Sequence, residues 1–168
     1  MTATPGAHAA DLENTLYMNL EDGRVVIEML PEVAPQHVER IKELVRADFY
    51  DGLTFHRVID GFMAQTGDPK GDGTGGSGTK LPAEFSNQPF VRGTVGMARS
   101  QNPNSADSQF FIMFAPAPHL NGQYTVWGKV VEGMEYVDQI KKGDARSNGV
   151  VQDPDRIISM ELASEANP

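Results

Sequence analysis

The sequence predicts a mostly β domain, an antiparallel sandwich or barrel accompanied by two helices. Three observations carry this expectation. About seven or eight short apolar runs recur along the 168 residues. They are separated by clusters of Gly, Pro, Asp and Asn, the residues that turns require. Only two stretches show helical periodicity, and they do not alternate with strands in the way that builds a parallel sheet. The length suits one domain with a normal core. We read residues 1–13 as a flexible lead-in, 14–163 as the folded domain and 164–168 as a tail.

Each element follows from its local pattern. In Asn14–Leu20, Leu16, Met18 and Leu20 alternate with Thr15, Tyr17 and Asn19, so one face is apolar. Asp22-Gly23 then reads as a hairpin turn into a second strand, Arg24–Leu30. Pro35 suits the first turn of a helix from Gln36 to about Ala47, with Val38, Ile41, Leu44 and Val45 on one side. Phe55, Val58 and Ile59 form a strand, Asp60-Gly61 a tight turn, and Phe62-Met63 the start of the next strand. Phe90–Ala98 is strand entry and strand, Gln109–Phe114 a dense β run, and Tyr124–Val131 another strand. Met134, Val137 and Ile140 mark a second amphipathic helix ending near Gly143. After the polar loop 143–154, Arg156–Leu162 is the closing strand.

Composition removes several function classes. Acidic residues outnumber basic ones 23 to 14, for a net charge of −9, and no Lys/Arg cluster offers a nucleic-acid face. The chain has no cysteine, which excludes disulfides and thiolate metal sites. Its four histidines lack ligand spacing, so no metal is expected. Residues 1–13 lack a basic region followed by an apolar one, and no run approaches the roughly 20 apolar residues of a membrane span. A cytoplasmic monomer without membrane association is the default. There is no Gly-x-Ser-x-Gly elbow for a serine hydrolase. Gly71–Gly76 satisfies the Gly-x-Gly-x-x-Gly pattern but opens no helix, and Lys80 is followed by Leu81 rather than Ser or Thr. Dinucleotide and phosphate-loop readings therefore fail on context. Asp68–Gly73 is a poor calcium loop, with Lys70 at a ligand position.

One stretch stands apart, Phe55-His56-Arg57-Val58-Ile59-Asp60-Gly61-Phe62-Met63-Ala64-Gln65-Thr66-Gly67-Asp68. Arg57 interrupts an apolar run. A guanidinium there must snorkel to water, pair with a carboxylate or face a cleft, because desolvating it unpaired costs several kcal/mol. Phe62, Met63 and Phe111 by themselves read as core. The whole stretch resembles the signature of the cyclophilins, the cyclosporin-binding family of peptidyl-prolyl cis-trans isomerases. The resemblance continues through Gly93–Ala98, Asn104–Ile112, Leu120-Asn121-Gly122 and Val126–Val130, and covers roughly residues 14–163.

The resemblance implies a closed eight-stranded antiparallel β-barrel capped by two α-helices, and an enzyme that speeds rotation about X–Pro bonds without a cofactor. It matches Arg57 to the catalytic arginine, and Phe62, Met63, Phe111 and Leu120 to the walls of a proline pocket. Gln65 and Gln109 match polar groups that hold the peptide, and Ala98, Arg99 and Ser100 the segment along which its backbone pairs. His119 stands where many eukaryotic members carry a tryptophan that contributes to cyclosporin binding, and Tyr124 where many carry a histidine at the pocket rim. Arg99-Ser100 replaces a more usual Asn-Ala pair. Expected partners are proline-containing peptides and unfolded or folding proteins, with cyclosporin bound weakly. A proline-peptide binding module without turnover is the alternative on the same fold.

Overall fold

The computed structural model describes residues 11–166. Residues 1–10 of the expected lead-in and 167–168 of the expected tail lie outside them. Eight strands form a single sheet: β1 (Thr15–Asn19), β2 (Arg24–Met29), β3 (Arg57–Ile59), β4 (Met63–Thr66), β5 (Thr94–Met97), β6 (Phe110–Met113), β7 (Val126–Glu132) and β8 (Ser159–Leu162). The helices are α1 (Pro35–Arg46) and α2 (Met134–Asp138). Spatial order is β3-β4-β6-β5-β7-β2-β1-β8, with every neighbouring pair antiparallel.

The sheet curls but does not close, which corrects the closed barrel expected from the sequence. No ladder joins the two end strands, β3 and β8. The seam is spanned by isolated bridges, Thr54 with Arg156 and Arg57 with Val150. The chain facing β3 cannot stay extended there. Asn148, Gly149 and Asp153 adopt positive φ, and Pro154 has no N–H to give a ladder. The expected closing strand accordingly shortens to Ser159–Leu162.

The interior is filled from both helices and from alternate strand residues. Leu16, Met18, Val25, Ile27, Val58, Ala64, Val95, Phe110, Ile112 and Trp127 join Val38, Ile41, Leu44 and Val137 in one buried cluster. Helix α1 is preceded at its N-cap by Ala34, whose side chain cannot cap it. The Glu84 carboxylate, 47 residues away along the chain, does that work. It accepts the backbone N–H of Gln36 at 3.1 Å and of His37 at 2.9 Å, and the His37 ring Nδ1 lies 2.8 Å from it. These are the orphan donors every helix start must satisfy.

Two local expectations change for physical reasons. The β1–β2 turn is centred on Glu21-Asp22, closed by the Leu20 N–H to the Gly23 carbonyl at 2.9 Å and its reciprocal at 3.3 Å. Gly23 has no positive φ; it is small because a Cβ there would overlap the Tyr136 ring. Helix α2 stops after five residues, well short of Gly143. The Lys141 N–H is taken by the Asp155 carboxylate at 2.8 Å, which diverts the backbone from its helical ladder.

Candidate functional site

Strand register assembles the site. Arg57 on β3 lies opposite Gln65 on β4, Gln65 opposite Phe111 on β6, Phe111 opposite Gly96 on β5, and Gly96 opposite Val126 on β7. Residues paired this way share a face of the sheet. Met63 precedes Gln65 by two residues, so it shares that face and meets Met113 across the ladder. The face is the outer one, turned away from the interior cluster. A second, smaller apolar cluster covers it, built from Met63, Phe90, Phe111, Met113, Ala117, Leu120 and Val126.

A pocket of about 130 Å³ opens over this cluster. Phe62, Met63, Phe111 and Leu120 give it apolar walls, and Arg57, Gln65, Ala98, Arg99 and Tyr124 complete the lining. Nine of the twelve residues singled out from the sequence thus meet in one depression. Gln109 and Ser100 line an adjoining depression of about 260 Å³, which shares Gln65, Ala98 and Arg99 with the first. His119 lines neither; its ring lies 6.0 Å from that of Phe62, outside the pocket wall. The Phe111 ring is held by Phe90, stacked at 5.8 Å, and by Tyr124, edge-on at 5.9 Å. Gly96 makes room for both phenylalanines, because a Cβ would sit 2.7 Å from Phe90 and 3.0 Å from Phe111.

The guanidinium of Arg57 is half-buried and held on three sides. Its Nε donates to the Asn148 carbonyl at 2.9 Å, one terminal nitrogen to Asn148 Oδ1 at 3.1 Å, and the other to Gln65 Oε1 at 3.1 Å. Gln65 in turn donates to Gln109 Oε1 at 2.9 Å, and Gln109 to the carbonyls of Gly73 and Gly75, both at 3.0 Å. A continuous chain of hydrogen bonds therefore runs from the Gly-rich loop to Arg57. Burial lowers the arginine's pKa, partly opposed by Tyr124, yet a guanidinium keeps its proton in proteins. Its hydrogen-bonding partners are all neutral oxygens, so its charge is not cancelled locally.

Asn148 was not among the sequence-derived candidates. The available signal was the Asn148-Gly149 dipeptide, a turn former, within a polar loop. Its contact with Arg57 depends on the open seam, across which this loop meets the β3 edge: the Val58 N–H donates to the Gly149 carbonyl at 2.8 Å. Phe90 was also missed, and nothing in its sequence surroundings distinguishes it from a core residue.

A family model described as cyclophilin type peptidyl-prolyl cis-trans isomerase/CLD matches residues 15–162. The chain belongs to the cyclophilin-type peptidyl-prolyl cis-trans isomerases. It is 59% identical over 175 residues to a Brucella suis protein named "Probable peptidyl-prolyl cis-trans isomerase", covering 97% of this chain and 89% of that one. Peptidyl-prolyl cis-trans isomerase B of Bacillus subtilis is 45% identical over 133 residues, 77% of this chain and 92% of that one. Among solved structures, the cyclophilin AquaCyp293 from Hirschia baltica superposes with a TM-score of 0.83 at 27% identity, covering 94% of this chain and 77% of that one. A Cryptosporidium parvum cyclophilin-type isomerase, determined in the presence of the dipeptide Ala-Pro, gives 0.80 at 28% identity over 91% and 99%. This cyclophilin is thus an isomerase enzyme.

Its Gly-rich loop also has an explanation. The backbone N–H groups that would cradle a phosphate are occupied by the chain's own Asp68, which is 1% exposed. The carboxylate accepts from Lys70 at 2.8 Å, Asp72 at 3.1 Å and Gly73 at 2.5 Å. Burial alone would raise its pKa, but these donors outweigh burial and hold it below the ordinary carboxylate value. Among the described residues no group of three or more His, Cys, Asp or Glu could hold a metal ion, and no helix is long and apolar enough to cross a membrane.

Proposed function

We propose that this cyclophilin isomerises X–Pro bonds by seating the proline ring between Phe62, Met63, Phe111 and Leu120 while Arg57 stabilises the twisted amide. The observation that carries the reading is the position of a fixed, locally uncancelled guanidinium on the rim of an apolar pocket. Rotation about an X–Pro bond must break amide resonance, against a barrier of about 18–20 kcal/mol. As the C–N bond loses double-bond character, the prolyl nitrogen gains a lone pair that a nearby N–H can engage. Such a donor accelerates the reaction only by binding the twisted state better than the planar ones.

Magnitudes support a shared load. Raising a rate from about 0.01 to about 1,000 per second requires roughly 7 kcal/mol at 1.36 per decade. One preorganised donor supplies about 3 kcal/mol. The pocket's shape and its exclusion of water must supply the rest. Gln65 and Gln109 hold the donor in place, and Ala98, Arg99 and Ser100 offer an edge along which the peptide backbone can lie. The Ala-Pro dipeptide present with the Cryptosporidium parvum relative supports a proline-containing ligand here as well. In this reading the physiological clients are unfolded or folding proteins, and cyclosporin binds weakly because His119 lies outside the pocket.

Exchange NMR on a short Ala-Pro peptide tests the reading. Wild-type protein is expected to accelerate cis/trans exchange. Arg57→Ala is expected to lose about 100-fold, the equivalent of one preorganised donor, and to keep the remainder. Near wild-type turnover in that variant would overturn the assignment of Arg57.

A further inference from the structure

Charge around the pocket is distributed in a way that general isomerase activity does not require. The chain has eight arginines. Five of them, Arg24, Arg40, Arg46, Arg92 and Arg146, are ion-paired with carboxylates. Among the described residues Arg57, Arg99 and Arg156 are not, and the first two line the same pocket. No carboxylate lines that pocket at all. In a protein of net charge −9, this is a local reversal of sign.

Arg99 is fixed as firmly as Arg57. Its guanidinium lies 4.5 Å from the Tyr124 ring centroid. Nε and one terminal nitrogen donate to the Gln123 carbonyl at 3.2 and 2.6 Å, and the other terminal nitrogen to the carbonyls of Ser100 and Gln101 at 2.9 and 3.3 Å. Those contacts orient the group without neutralising it. A guanidinium has five N–H donors. Arg57 uses three of them and Arg99 four, so three charged donors remain free around the pocket. In the adjoining depression Lys80 adds another cation, whereas Asp107 is turned to the Ser77 N–H and hydroxyl and the Gly78 N–H.

We infer that this enzyme prefers peptides carrying a carboxylate side chain next to the proline, and that Arg99 is the residue that sets this preference. The inference rests on the proposed placement of the proline in the pocket. A Glu or Asp flanking the ring meets Arg99 across the pocket mouth, in addition to the charge that Arg57 already supplies. The sign of the effect is diagnostic. The chain's overall negative charge repels an acidic peptide, so only a local positive site yields a preference for one.

The test compares kcat/KM for neutral, acidic and basic peptides by exchange NMR, with Gln, Glu or Lys placed before the proline and, in a second series, after it. At low ionic strength the Glu peptide of one series is expected to exceed its Gln counterpart about fivefold, as for one partly exposed ion pair, and the Lys peptide to fall below it. The Glu/Gln ratio should decline toward one as salt rises, and Arg99→Gln should bring it near one at low salt. A ratio of one or less for wild type in both series overturns the inference while leaving isomerase activity on the Gln peptide intact. A preference that persists unchanged in Arg99→Gln overturns the role of Arg99. Absence of activity on every peptide overturns the underlying placement instead.

Discussion

Asn148→Gly isolates one hydrogen bond to the guanidinium. Asn148 sits at φ 59°, a conformation glycine adopts without strain. The substitution removes Oδ1, which accepts from Arg57 at 3.1 Å, and keeps the backbone carbonyl that accepts Nε at 2.9 Å. Gln65 still receives the third bond at 3.1 Å. A hydrogen bond to a charged group is worth about 1.5–3 kcal/mol when buried and less at a half-exposed site, so about 1 kcal/mol is lost here. That corresponds to roughly a fivefold reduction in turnover. If Asn148 acts by aiming Arg57 at the twisted amide, kcat falls and KM stays nearly constant, because the lost interaction matters most in the transition state. Asn148→Asp retains an acceptor oxygen but adds a carboxylate that cancels the guanidinium's charge, so it should not recover the rate. Exchange NMR over a range of Ala-Pro peptide concentrations separates the two constants, and a urea titration checks the fold. Turnover within 1.5-fold of wild type in Asn148→Gly would refute the positioning role.

Two further predictions concern the fold. Glu84→Ala strips three contacts from the start of α1 and orphans the fully buried His37 ring, so urea denaturation should show a loss of about 3 kcal/mol, combining a lost cap with an unsatisfied donor. A loss below about 1 kcal/mol would contradict the capping role. Stability should also fall with acidification from pH 7.5 to 5.5. Burial is the main cause that depresses the pKa of both His37 and His56 below the ordinary 6.5, despite opposing carboxylates. The folded rings thus stay neutral while the unfolded ones protonate. That stabilisation is complete above pH 6.5 and declines as pH falls toward the folded values, by up to about 1.4 kcal/mol per pH unit for each histidine. Glu84 and Asp68, both held below their ordinary values, add to acid sensitivity only at lower pH. A urea midpoint unchanged between pH 7.5 and 5.5 would rule out neutral buried histidines.

Element types were readable wherever one face meets water. β1 and β2 alternate buried and half-exposed residues, and the period of two shows in Leu16, Met18, Val25 and Ile27. The α1 periodicity likewise places Val38, Ile41, Leu44 and Val45 inward, as found. Strands β4, β5 and β6 are buried on both faces and show no alternation. Their inner residues fill the interior, and of their outer residues Met63, Gln65 and Phe111 line the pocket while Gly96 leaves room for the Phe111 ring. From the run Phe110–Met113 alone, nothing separates the two sets. The stretch around Arg57 and the later matched stretches singled out residues of this outer row as a set, which no single residue's surroundings do.

The sequence by itself determined the β-rich class, both helices, the family and nine residues of one pocket. Tertiary structure alone decided that the sheet stays open, that Glu84 caps α1, and that Asn148 accepts two hydrogen bonds from Arg57. The division has a common physical cause. Periodicity reports the environment of a residue relative to its near neighbours in the chain. Capping, seam contacts and the aim of a guanidinium join groups separated by 47 residues for Glu84 and His37 and by 91 for Arg57 and Asn148. Such pairings come into being only when the curled sheet brings distant backbone and side chains within hydrogen-bond reach.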